Sequence, residues 1–77
     1  MEPNMPRVAV GEMVKVHLPD EWPWAEVTRV VGHDQFVGRI DNKLVGSGDS
    51  HNYECDDVAL FGWMDGAWEV LGKVADL

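Results

Sequence analysis

The chain predicts a mostly β fold, a small, strongly bent antiparallel sheet or partly closed barrel of five to six short strands. Three observations lead there. Runs rich in β-branched and aromatic residues alternate with polar ones at a period of two, and clusters of Gly, Pro, Asp and Asn separate them. No stretch of ten or more residues carries a helical period without an interrupting Gly or Pro, so at most one short helical turn is expected. An Asp-Gly pair, Asp65-Gly66, sits between apolar residues and is the strongest short-range hairpin signal in the chain.

Met1 to Arg7 holds two prolines, an acid and no apolar run, so residues 1–11 read as a flexible lead-in rather than a signal peptide or membrane anchor. In Met13 to Leu18, Val14, Val16 and Leu18 alternate with Lys15 and His17, the pattern of a half-buried first strand. Pro19, Asp20 and Pro23 then impose a loop, because proline lacks an amide donor and aspartate favours turns. Trp24 to Val31 is a second strand whose Ala25/Val27/Arg29/Val31 face is expected to meet the core. Gly32-His33-Asp34 turns the chain into a third strand, Gln35 to Ile40, where Gly38 marks a bulge or a close backbone approach.

Asp41-Asn42-Lys43 is a turn, since Asx side chains bond nearby backbone and tolerate left-handed conformations. Leu44-Val45 is a short apolar pair, and residues 46–50 form the most flexible stretch, an exposed loop without phosphate-binding character. His51 to Glu54 leads into a strand over Asp57 to Phe61. The hairpin around Asp65-Gly66 follows, and Glu69-Val70-Leu71 completes the last strand. The expected organisation is one domain over residues 12–72 with a tail at 73–77. Closure of so short a sheet into an SH3-like partly closed barrel would protect its edges.

Composition narrows the function. Hydrophobic residues at 45% and charged ones at 26% give a globular balance rather than the signature of disorder. Lone Cys55 forms no internal disulfide, which favours a reducing, cytoplasmic setting. Fourteen acids against six Lys and Arg give a net charge of −8, which argues against direct contact with nucleic-acid phosphates. From Asp49 onward seven acids face Lys73 alone, a net of −6. Such a surface steers basic partners or simply keeps a small protein soluble.

The residues with catalytic or metal-binding chemistry are His17, His33, His51 and Cys55. His51 and Cys55 stand four apart, yet no second pair completes a metal site, so neither a metal nor a cofactor is expected. Glu54 and Asp56-Asp57 flank Cys55 and disfavour its nucleophilic thiolate form. No serine elbow, phosphate loop or tuned carboxylate pair is present, and the chain is expected not to be an enzyme. Trp24, Trp63 and Trp68 fall on strands, where core packing is the first expectation. Trp22 lies in the proline-bounded loop beside Asp20 and Glu21, either as an exposed anchor or as a plug at the barrel end. The partner-binding candidates are Trp22, Trp24, Asp49, Glu54, Asp56 and Asp57; the structural turn positions are Gly38, Asp41, Asn42, Asp65 and Gly66.

The stretch PWAEVTRVVGHDQFVGRIDN followed by FGWMDG resembles a bacterial domain-of-unknown-function family, family 2314, over about residues 12–71. The matching elements are Trp24 to Val31, Phe36 to Asn42, Asp57 to Phe61, and Trp63 to Gly66. The chain departs from the family at Cys55-Asp56-Asp57, where many members carry a Gly-Asp turn, and at Lys43-Leu44, where they carry a proline. The resemblance implies a compact β-rich domain and no enzymatic activity. Two functions are then open. One is a non-catalytic interaction module that offers a sheet edge or the aromatic loop to a protein partner, with no membrane contact and with pairing to its own copy allowed. The other is an acidic inhibitor of the phage or mobile-element kind, which would fill the basic groove of a nucleic-acid-binding protein, such as a defence nuclease complex, with Asp49, Glu54, Asp56 and Asp57.

Overall fold

The computed structural model describes residues 7–46 and 48–74, and over them the chain is all strand and turn, with no helix. Five antiparallel strands follow one another in the order β1 (Met13–Lys15), β2 (Trp24–Gly32), β3 (Gln35–Ile40), β4 (Val58–Met64) and β5 (Ala67–Lys73), each bonded to the next. The sheet is strongly curled into an open half-barrel. Its concave side holds the core of Val16, Leu18, Ala25, Val27, Phe36, Ile40, Ala59, Phe61 and Trp68. Phe36 is the hub, stacked on Phe61 with ring centroids 5.2 Å apart and meeting Trp68 edge-on at 4.9 Å.

Regular pairing of the first strand stops at Lys15 instead of running to Leu18. Beyond it the Val16 amide bonds the Pro23 carbonyl at 2.9 Å, the His17 amide bonds the Trp68 carbonyl at 2.7 Å, and His17 makes a parallel bridge to Glu69. The chain thus crosses from β2 toward β5 and begins to close the barrel. The alternation read from sequence survives this crossing, since Val16 and Leu18 are fully buried.

On β2 the expected core face is correct for Ala25 and Val27 and fails for Arg29 and Val31, which are exposed. Burial on this strand ends at Val27, and Thr28 to Gly32 are exposed on both faces, so the outer half of β2 runs beyond the core; register shifts between Val27 and Arg29 and between Val30 and Gly32 interrupt its pairing there. Opposite the first shift sits Gly38, where an added Cβ would lie 2.8 Å from Phe36 Cε1 and 3.0 Å from the Glu26 carbonyl. Only a residue without a side chain lets the two backbones approach so closely.

β4 continues through Gly62 to Met64, and the turn at Asp65 and Gly66 has φ of 52° and 85°, the left-handed pair of a tight two-residue hairpin. β5 runs to Lys73, so the residue expected to open the tail is still in the sheet. Residues 1–6 of the expected lead-in and 75–77 of the expected tail lie outside the described residues, as does Ser47 of the expected flexible loop. In the same loop the Gly46 carbonyl accepts from the Asp49 and Ser50 amides at 3.0 and 2.9 Å.

Candidate functional site

Antiparallel pairing brings the two long connections to one end of the half-barrel. Lys15 stands opposite Trp24, Ala25 opposite Ile40, and Arg39 opposite Val58. Residues 16–23 and 41–57 therefore lie side by side. Loops mounted on a rigid sheet are where binding residues concentrate.

The first loop is shaped by a tight turn in which Leu18 and Glu21 exchange both backbone bonds, at 3.0 and 3.1 Å, around Pro19 and Asp20. Asp20 takes φ 68°, the positive value that the third residue of a type II turn adopts, and proline suits the second position of that turn. This aims Glu21 at the second loop. One carboxylate oxygen accepts the Val45 amide at 3.0 Å; the other accepts the Gly46 amide at 2.8 Å and meets His51 Nε2 at 2.5 Å. The Tyr53 amide donates to His51 Nδ1 at 3.0 Å, which leaves Nε2 as the protonated nitrogen and the donor to Glu21. Burial pushes the Glu21 carboxyl up, but the His51 bond and the two amides outweigh it, so its pKa lies below the ordinary value. Asp20 adds a second tie, accepting the Ser50 hydroxyl at 2.7 Å.

Two tryptophans flank this staple on the outside. Trp22 is 51% exposed and lies on the His17 ring, with centroids 4.4 Å apart and planes 29° from parallel. His17 is held in turn by Glu69, at 2.7 Å from Nδ1 to Oε1. Trp22 is thus exposed and not a plug at the barrel end. Trp24, expected in the core, is 43% exposed instead, because its neighbour Ala25 takes the core side of β2. Its amide donates to Asn42 Oδ1, and Lys15 Nζ sits 5.0 Å over its ring. Between the two indoles opens a cleft of about 260 Å³ lined by Lys15, Glu21, Trp22, Pro23, Trp24, Asn42 and Lys43. Trp63 is half-buried and Trp68 is in the core, as expected for strand residues.

Two of the acidic candidates, Asp56 and Asp57, are paired with cations of the molecule. Asp56 accepts from Arg39 at 2.7 Å, and the same guanidinium reaches Glu26 at 2.8 Å and Asp41 at 3.4 Å. Asp57 is 3.3 Å from Lys73 and also caps the Glu54 amide at 2.9 Å. Asp49 and Glu54 are exposed, and among the described residues their carboxylates join no ion pair. His51, four residues from Cys55 in sequence, faces Glu21, while Cys55 is exposed. Among the described residues no group of three or more His, Cys, Asp and Glu is placed to hold a metal ion.

Two contacts carry no mark in the sequence, the Glu21–His51 staple and the His17–Trp22 stack. The staple joins residues thirty positions apart. The stack spans a hairpin whose turn was visible in Pro19-Asp20, but its ring contact was not. No helix is long and apolar enough to cross a membrane among the described residues. No family model matches the chain, and neither a curated protein nor a solved structure matches it.

Proposed function

We propose that this chain is a non-catalytic protein-interaction module that holds its partner at the Trp22–Trp24 cleft. The observation that carries this reading is the presence of two tryptophans, each about half exposed, on the end of the half-barrel where its long loops meet. Exposed indoles lose favourable burial unless something covers them, and tryptophan is enriched among the residues that dominate binding energy. The cleft is also built to be rigid. Trp22 rests on a histidine fixed by Glu69, Trp24 is tied to Asn42, and Glu21 locks the two loops together. A preordered surface loses less side-chain freedom on binding.

The Glu21–His51 pair does not argue for catalysis, because its polar atoms are spent on Val45, Gly46 and Tyr53. The acidic-inhibitor reading has less support, since Asp56 and Asp57 are neutralised within the molecule by Arg39 and Lys73. A single exposed Cys55 fits a reducing, cytoplasmic setting. The test is affinity capture from native cells on immobilised wild type and on the Trp22→Ala/Trp24→Ala variant, at low and high salt. The interaction reading requires that the variant fold and lose the captured protein at both salt levels. Equal capture by the two would move the binding surface elsewhere, and capture by both that vanishes only at high salt would favour the inhibitor.

A further inference from the structure

Resting on the reading of the cleft as the binding surface, we infer that its occupant is an extended peptide segment that presents carboxylates beside an apolar residue. The partner is then acidic, the opposite of what a net charge of −8 would select. The inference comes from what each polar group in the cleft has left to offer. Glu21 is the one carboxylate in the lining, and both of its oxygens are taken by Val45, Gly46 and His51. Asn42 Oδ1 already accepts from the Trp24 amide, while its NH₂ group has no partner among the described residues. Lys15 and Lys43 are also donors only, and among the described residues neither forms an ion pair. Trp22 and Trp24 carry indole N–H groups, which again only donate. The side-chain groups of the lining with no hydrogen-bond partner among the described residues are therefore donors, two of them cationic, and a ligand that supplies acceptors fits them.

Size and charge choose among acceptor ligands. A volume of about 260 Å³ falls short of the roughly 300–1,000 Å³ of small-molecule sites and suits one or two side chains. Single-stranded nucleic acid also stacks on aromatic rings, but it needs a run of cations along its backbone. Here two lysines stand on a strongly acidic chain, with Asp20, Asp41, Asp49 and Glu54 on the same pair of loops. A peptide places one or two carboxylates at Lys15 and Lys43 and keeps the rest of its length clear of those acids. Its apolar residue covers Trp22, whose outer face is open opposite His17.

Short blocked peptides of one length, with a central tryptophan flanked by two Glu, two Gln or two Lys, distinguish the outcomes when titrated into ¹⁵N-labelled protein. The indole N–H signals of Trp22 and Trp24, assigned with Trp→Phe variants, report the site. The inference expects the Glu peptide to shift both signals and bind tightest. Lys15→Gln/Lys43→Gln should weaken the Glu peptide about five-fold and remove its advantage over the Gln peptide. Glu and Gln peptides binding alike would overturn the acidic partner and keep the cleft. Preference for the Lys peptide would overturn it likewise. If no peptide shifts the indoles, cleft and partner both fail; an oligothymidylate that shifts them when no peptide does assigns the cleft to nucleic acid and overturns the peptide.

Discussion

Glu21 illustrates how one residue holds the site in place. Its carboxylate accepts three bonds in a nearly buried position, and replacing it leaves amides of Val45 and Gly46 or the His51 N–H without a partner. Glu21→Gln should therefore cost about 1–3 kcal/mol in denaturant unfolding at neutral pH. The lowered pKa adds a pH dependence of known sign. Above the ordinary value of 4.5 the carboxylate is ionised whether the chain is folded or not, and its stabilisation is fully present. As the pH falls below that value the unfolded chain takes up the proton first, and the stabilisation is lost as the pH passes through the lower folded value. The midpoint denaturant concentration should drop over this window in wild type and drop less in Glu21→Gln. Gly38 is a second residue with one tolerated identity. Gly38→Ala drives its methyl into Phe36 and the Glu26 carbonyl, and should cost about 1–3 kcal/mol, read as a shift in the unfolding midpoint.

At the scale of the elements, sequence patterning carried far. The limits of β3 at Gln35 and Ile40, the Asp65-Gly66 turn and the period-two alternation of Val14, Val16 and Leu18 were all legible, because each rests on local backbone chemistry. The bulges in β2 were not, since they answer to the partner strand at Gly38, and neither was the end of burial at Val27, beyond which both faces of the strand, Arg29 and Val31 included, are exposed. Half of the candidate site was legible as well: Trp22 stood out in its proline-bounded loop, whereas its support by His17 depends on a crossing of the chain to β5 that no local pattern encodes. The β4–β5 hairpin gives a clean test of turn chemistry. Gly66 has φ +85° with open space around its Cβ position, so Gly66→Ala meets only the backbone penalty, about 1–2 kcal/mol of stability. His17→Ala tests the positioning element. It should weaken partner capture more than unfolding stability alone explains, with Trp22 anisotropy falling as the ring loses its support; unchanged anisotropy would show that Trp22 needs no such support.

Across the whole molecule, charge and curvature divide the labour. The curled sheet gathers both long loops at one end, and the internal pairs of Arg39 with Glu26, Asp41 and Asp56, and of Lys73 with Asp57, consume cations elsewhere. What remains at the cleft is a patch of positive charge on a chain of net charge −8. A sum over the sequence conceals this, because it does not show that Lys15 and Lys43 meet at the cleft, with Glu21 as the one carboxylate in the lining. Fluorescence quenching reads the patch directly and needs no partner. Because Trp22 and Trp24 are exposed beside two lysines, iodide should quench them more efficiently than caesium when each quencher is scaled to its effect on free N-acetyltryptophanamide, against the sign of the net charge. That iodide-sensitive component should disappear in Trp22→Phe/Trp24→Phe and fall to parity with caesium in Lys15→Gln/Lys43→Gln. Stronger quenching by caesium in the wild-type protein would contradict the cationic aromatic cleft on which the functional reading stands.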